Sequence, residues 1–197
     1  MLVLEVMSRH PVTVRAGTPV KVALRLLADH RITVLPVVSA DGIVRGVVSE
    51  ADLIREVLPP DPRAHEIPQA RGDARASIVD EVMSAHALTV HPDTDLAEAV
   101  ELLTSTTAKS LPVVDRRGRL QGVLSRSDVV RLLARSDDEI ERQVDELLRS
   151  TGLAGWLVEV ADGSVSLLGP GQDATVARLL AETVPGVLDV TASEEQS

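Results

Sequence analysis

The chain has no cysteine, no phenylalanine and no tyrosine, and Trp156 is the one aromatic side chain in 197 residues. Without thiols there is no disulfide framework, no thiolate zinc site and no cysteine nucleophile. Without rings, the core must be built from Val, Leu, Ile and Ala, and a bound purine would rest on aliphatic side chains rather than stack. Basic residues are also scarce: 20 Lys plus Arg against 30 Asp plus Glu give a formal net charge of −10. That excess argues against a chain-wide footprint for DNA, RNA or an anionic membrane, so a phosphate-bearing ligand would need a local site. No apolar run reaches membrane-spanning length, and the opening MLVLEVMSRHPVTV carries Glu5 where a signal peptide would be basic, so the expected location is cytoplasmic. What remains is 44% hydrophobic and 25% charged, an ordinary globular composition with length for one large domain or two small ones.

The most informative feature is an internal repeat. Residues 3–58 align with 79–134 at a constant offset of 76 without a gap, and 22 of the 56 aligned positions are identical. The matches fall in blocks: Val6-Met7-Ser8 with Val82-Met83-Ser84, Thr13-Val14 with Thr89-Val90, and Leu35-Pro36-Val37-Val38 with Leu111-Pro112-Val113-Val114. A Gly-x-x-Ser-x-x-Asp ending recurs as Gly46, Ser49, Asp52 and Gly122, Ser125, Asp128.

Each unit reads as strand, helix, strand, strand, helix. Val12-Thr13-Val14 is a β-branched strand, and Thr18-Pro19 has the form of an N-cap followed by proline at the first helical position. Val20, Ala23, Leu24 and Leu27 follow at helical spacing, as do Leu96, Ala99, Val100 and Leu103 after Thr94. Ile32 to Val38 and Ile43 to Val48 flank a Ser39-Ala40-Asp41-Gly42 turn and predict a hairpin. Ser49 then opens a closing helix. A unit this small has little core of its own, so two copies are expected to pack about a pseudo-twofold axis in an α/β (α+β) fold. Residues 59–77, rich in proline, read as a linker; Arg63, Arg71 and Arg75 within it either stay solvated or reach an anionic ligand.

A third segment begins after Ala134. Ser136-Asp137-Asp138-Glu139 starts a helix with Ile140, Val144, Leu147 and Leu148 as its apolar stripe and Gly152 as its stop. Strands over 156–160 and 164–168, a helix over 174–183 and a strand over 187–191 follow, with a frayed tail from Ser193. Neither metal-ligand spacing among the five histidines nor a catalytic set emerges; Gly169-Pro170-Gly171 lacks the Lys-Ser/Thr of a phosphate loop and reads as a turn, so no enzyme is expected.

With its Val-Met-Ser opening, Leu-Pro-Val-Val strand and Gly-x-x-Ser-x-x-Asp ending present twice in register, residues 1–134 resemble a CBS-domain pair, or Bateman module: repeat 1 over 1–58, repeat 2 over 78–134. The resemblance implies a regulatory protein that binds an adenine nucleotide (AMP, ADP, ATP or a related adenosyl ligand, magnesium accompanying the phosphates) between the repeats, needs no other cofactor, and forms a homodimer. It assigns Asp52 and Asp128 to ribose and Ser49 and Ser125 to phosphate. Val12, Ile32, Thr33 and Val34 become the adenine wall of the first copy, and Leu88, Ala108, Lys109 and Ser110 that of the second. Arg126 would favour phosphate where Glu50 would oppose it, so the cleft around Asp128 is the expected site for several phosphates. The alternative is that Ser49 and Asp52 are only helix caps. Arg55 and Arg131 lie one turn beyond each Asp and can simply pair with it.

Residues 136–193 resemble a BON domain, through the Asp-Asp-Glu-Ile helix start, Val158-Glu159-Val160, Asp162-Gly163-Ser164-Val165, Leu168-Gly169 and Val184-Pro185-Gly186-Val187. That resemblance implies envelope association and binding to phospholipid or a partner protein, and the module is expected to receive the nucleotide signal from the repeat pair. The alternatives to a sensor are an unliganded dimerisation scaffold and, third, an envelope- or membrane-associated adaptor. Charge weighs against the last: residues 1–134 sum to −1 and residues 135–197 to −9. The acidic third should avoid anionic bilayers and sooner meet a basic protein surface.

Overall fold

A computed structural model of the chain describes residues 1–57 and 76–194; the linker reading, with Arg63, Arg71 and Arg75, lies mostly outside them, as do the last three residues of the tail. The chain divides into two compact units, Met7–Arg126 and Met1–Val6 with Ser127–Ser197. In chain order the elements are α1 (Val3–Val6), β1 (Ser8–Arg9), β2 (Val14–Arg15), α2 (Val20–His30), β3 (Val34–Val38), β4 (Val44–Ser49) and α3 (Glu50–Val57). After a 3-10 turn at Val79–Glu81 come α4 (Leu96–Ser105), β5 (Ser110–Val114), β6 (Leu120–Ser125) and α5 (Arg126–Leu133). The third segment supplies α6 (Asp137–Ser150), β7 (Leu157–Ala161), β8 (Ser164–Gly169), α7 (Ala174–Ala181) and β9 (Asp189–Glu194).

Within the Met7–Arg126 unit, each repeat has a β-α-β crossover and a hairpin. β2 lies parallel to β3, which pairs antiparallel with β4. In the second copy Val90 bridges parallel to Val113, and β5 pairs antiparallel with β6. Burial does not alternate along the central strands: Leu35, Pro36, Val37 and Val38 are all buried, as are Leu111, Pro112, Val113 and Val114. That is the pattern of a strand covered on both faces. The hairpin tips meet reciprocally: Val44 N–H donates to the Gly118 carbonyl and Leu120 N–H to the Gly42 carbonyl, each at 3.0 Å. Because these positions differ by the repeat offset, the two bonds exchange under a twofold rotation, the expected pseudo-symmetry.

The repeats also exchange their openings. β1, at the start of repeat 1, pairs with β6 of repeat 2, while Ser84 of repeat 2 bonds Val47 of repeat 1 in both directions, at 2.9 and 3.1 Å. Val79 is fully buried in the core of repeat 1 with Leu35, Val37, Val48 and Leu53. The paired glycines follow from this exchange. A Cβ on Gly46 would overlap the Ser84 carbonyl, and one on Gly122 would stand 2.7 Å from Met7 Sδ and 2.9 Å from the Ser8 carbonyl. The crossing segments lie too close to tolerate a side chain.

Several sequence expectations change at element ends. The first strand is Val14–Arg15 rather than Val12–Val14, and β3 starts at Val34, leaving Ile32 and Thr33 ahead of it. Thr18 does not cap α2; its hydroxyl closes a turn onto Arg15, and Pro19 precedes the helix without a side-chain cap. Thr94 does the same for His91, while Asp95 caps α4 by accepting from Ala97 N–H at 2.7 Å. The tail expected to fray from Ser193 instead continues β9, where Ser193 and Glu194 pair with Leu168 and Gly169.

The second unit contains a sheet in the order β7-β8-β9 with its own core, in which Ile140, Val144 and Leu148 of α6 and Ala177 and Ala181 of α7 pack with Trp156, Val165 and Leu167. Ser136 caps α6 through Glu139 N–H, and the Asp137 carboxylate accepts from both N–H groups of the Asp162-Gly163 turn at 2.8 and 2.9 Å. Gly169 lies against the Trp156 indole, where a Cβ would stand 2.6 Å from ring carbon Cδ2. Among the described residues no helix is long and apolar enough to cross a membrane.

Candidate functional site

β4 ends at Ser49, and the chain turns directly into α3, so Ser49 and Asp52 stand at a strand-to-helix junction. Their contacts form a capping box: Ser49 Oγ donates to Asp52 Oδ2 at 2.6 Å, Ser49 N–H donates to the same oxygen at 3.0 Å, and Asp52 N–H donates back to Ser49 Oγ at 3.3 Å. The junction lines a cleft of about 460 Å³, within the range of small-molecule sites. Val34, Val47, Ser49, Asp52 and Arg55 come from the first repeat. His86, Ala87 and Leu88, and then Thr106 to Ser110, come from the second.

The sequence-derived residues are therefore regrouped. Ser49 and Asp52 face Leu88, Ala108, Lys109 and Ser110, the wall assigned to the other copy, and only Val34 of the first wall joins them. Val12 and Ile32 pack against the core of repeat 1. Ile32 and exposed Thr33 line a separate hollow with Leu24, Ala28 and Ile54. The exchange of openings explains the regrouping: the segment after Ser84 is carried across to repeat 1, and Leu88 goes with it. His86, Thr106 and Thr107 are additional lining residues. Their signal in the sequence was adjacency alone, since they flank Leu88 and Ala108.

The charged side chains near these positions are committed in unexpected ways. Lys109 Nζ lies 2.8 Å from Glu50 Oε1, joining the two repeats, so the lysine assigned to the adenine wall is paired with the carboxylate expected to oppose phosphate. Arg126 is not held toward a phosphate. Its guanidinium donates to the Leu103, Thr106 and Ala108 carbonyls at 3.0–3.2 Å, closing the C-terminal end of α4, where unpaired carbonyls attract a cation. Ser125 pairs with Ser110 across the β5-β6 ladder. Asp128, on α5, is buried at 5% exposure and accepts from Arg131 at 3.1 Å, so the expected pairing with the following arginine is present there. In the hairpin of repeat 2, the Asp115 carboxyl is held below its usual range by N–H bonds from Arg119 and then Arg117, against an opposing effect of desolvation.

The CBS domain family model matches residues 3–59 and 79–135. A CBS domain-containing protein of Dictyostelium discoideum is 33% identical over 134 residues, 68% of this chain and 91% of its own length. Chloroplastic CBSX2 of Arabidopsis thaliana is 32% identical over 144 residues, covering 65% of this chain and 60% of CBSX2. Among solved structures, CBSX2 in complex with AMP superposes with a TM-score of 0.56 at 30% identity, over 66% of this chain and 93% of that one. The CBS domain pair of protein MJ0100, in complex with 5′-methylthioadenosine and S-adenosyl-L-methionine, shares the fold at a TM-score of 0.55 and 23% identity, over 67% and 94%. Two matches to one family model, in register with a repeat whose halves are joined by reciprocal hydrogen bonds, establish that this chain belongs to the CBS domain family.

Proposed function

We propose that the chain is a cytoplasmic regulatory protein, not an enzyme, whose CBS pair binds an adenosyl ligand in the cleft between Ser49–Asp52 and Leu88/Ala108–Ser110. One observation carries the reading: the same cleft joins a helix-start Ser and Asp from one repeat to an aliphatic wall from the other. The carboxylate suits ribose hydroxyls, and the Ser hydroxyl and helix start suit a phosphate. CBSX2, 30% identical over the superposed region, was crystallised with AMP. Asp128 and Ser125 keep the equivalent assignment in the second repeat, while Arg126, committed to carbonyl groups, does not. Occupancy would be relayed to the C-terminal BON-like unit or to a basic protein partner, and could shift conformation only through a difference in affinity between two states. The protein is read as a homodimer: Ile54 and Val57 on α3 and their repeat equivalents Val130 and Leu133 on α5 are 44–63% exposed.

A ligand at a hundredfold excess over its Kd stabilises by about 2.7 kcal/mol, enough to raise the melting temperature by several degrees. The full chain is expected to show that rise with at least one of adenosine, AMP, ADP, ATP and S-adenosylmethionine, and Asp52→Ala to abolish the increment while keeping a cooperative melt. No increment with any of the five would overturn the sensor. It would favour a second reading, an unliganded scaffold, for which the closed Ser49–Asp52 capping box is the supporting observation.

A further inference from the structure

The polar groups lining the Asp52 cleft are nearly balanced in charge. Among the lining residues Arg55 is offset by Asp52, and Lys109 by Glu50, which borders the separate hollow and whose carboxylate lies 2.8 Å from Nζ. Glu50 is the first residue of α3, directly after Ser49. It shares that hollow with Thr33 and Ile54, and its carboxylate reaches the edge of the cleft through Lys109, close to the helix start that would attract a phosphate. The two ends of the pair are only half covered, at 50% and 38% exposure, so a ligand can reach it. Repeat 2 differs at this position, because Arg126 stands in the place of Glu50 and is committed to carbonyl groups.

We propose that the Glu50–Lys109 pair sets an upper limit on ligand charge, so that this cleft takes an adenosyl ligand with no phosphate or one and discriminates against a polyphosphate. The inference rests on the reading of the cleft as an adenosyl site. A single phosphate can share Lys109 with Glu50 and draw on Arg55. A triphosphate either leaves its outer charges beside the Glu50 carboxylate or takes Lys109 away and leaves that carboxylate unpaired, and both arrangements place like charges together.

Titration calorimetry on the full chain, with adenosine, AMP and magnesium-free ATP as probes, separates the possibilities. The wild type is expected to bind AMP about tenfold or more tightly than ATP, and Glu50→Gln to strengthen ATP by about tenfold while changing adenosine less than about twofold. Lys109→Gln should weaken AMP by a clearly larger factor than adenosine, which guards against a Glu50 variant that perturbs the α3 start. ATP binding as tightly as AMP to the wild type, or Glu50→Gln changing adenosine and ATP by one common factor, overturns the charge limit alone. Failure of all three probes to bind the wild type overturns the adenosyl site and the charge limit with it.

Discussion

Ser39 and Asp115 occupy equivalent places in the two hairpins and accept from equivalent backbone groups. Ser39 Oγ takes the Ile43 N–H at 3.1 Å, and Asp115 Oδ1 takes the Arg119 N–H at 2.9 Å with a second bond from Arg117. Only the carboxylate titrates. Its pKa in the folded protein lies below the unfolded value, so its contribution is present above about pH 4 and is lost as pH falls through the lowered folded value. Asp115→Ser, which copies repeat 1 into repeat 2, should lower stability at neutral pH, with the gap from wild type closing under acid. Urea denaturation at a series of pH values checks this; a gap that stays constant from neutral pH into strong acid would show that the charge is irrelevant. The candidate site was only partly legible at this scale. Residue types and offset singled out Ser49 and Asp52, and the family resemblance added Leu88 and Lys109, but whether a cation faces a ligand, a carbonyl or another side chain depends on what the fold brings near it. Lys109 and Arg126 are the two places where that mattered.

At the scale of elements, most of the fold was readable because two independent copies carried the same pattern: β-branched runs, helical spacing and a Gly-bearing turn agree at an offset of 76. What could not be read was partner choice. A repeat shows that Ser8 and Ser84 are equivalent without showing that each docks on the other copy, since both arrangements satisfy the same hydrophobic pattern. The exchange is visible in the pairing of β1 with β6 and of Ser84 with Val47, and in the burial of Val79 within repeat 1. Its two crossings are unequal in a testable way. An alanine at Gly46 would meet the Ser84 backbone, which cannot move without breaking the Val47 bonds, whereas at Gly122 the nearest atom is the flexible Met7 thioether. Gly46→Ala should therefore cost about 2–3 kcal/mol and Gly122→Ala distinctly less. Equal losses in chemical denaturation would show that the Ser8 carbonyl, 2.9 Å from the same point, is the true obstacle at Gly122.

For the whole molecule, the formal charge of −10 is the sum of unlike parts, nearly neutral up to residue 134 and strongly acidic beyond it. Assembly through the acidic part is opposed by self-repulsion, so the exposed apolar residues of α3, in the repeat unit, are the better candidates for a self-interface. Sedimentation should find a dimer that Ile54→Glu combined with Val57→Glu converts to monomer without lowering the melting temperature of the monomer fold; a monomeric wild type would remove the interface. Finally, the burial of Trp156 in the second unit has an optical consequence. The chain has no other indole and no phenol, so the repeat pair is silent in ultraviolet emission while the C-terminal unit carries the whole signal. A nucleotide seated in the repeat pair has no fluorophore beside it in that unit to quench. Once the ultraviolet absorption of the adenine itself is subtracted, a change in tryptophan emission arises in the environment of Trp156, and the unmodified protein therefore carries its own reporter of whether one unit senses what the other binds.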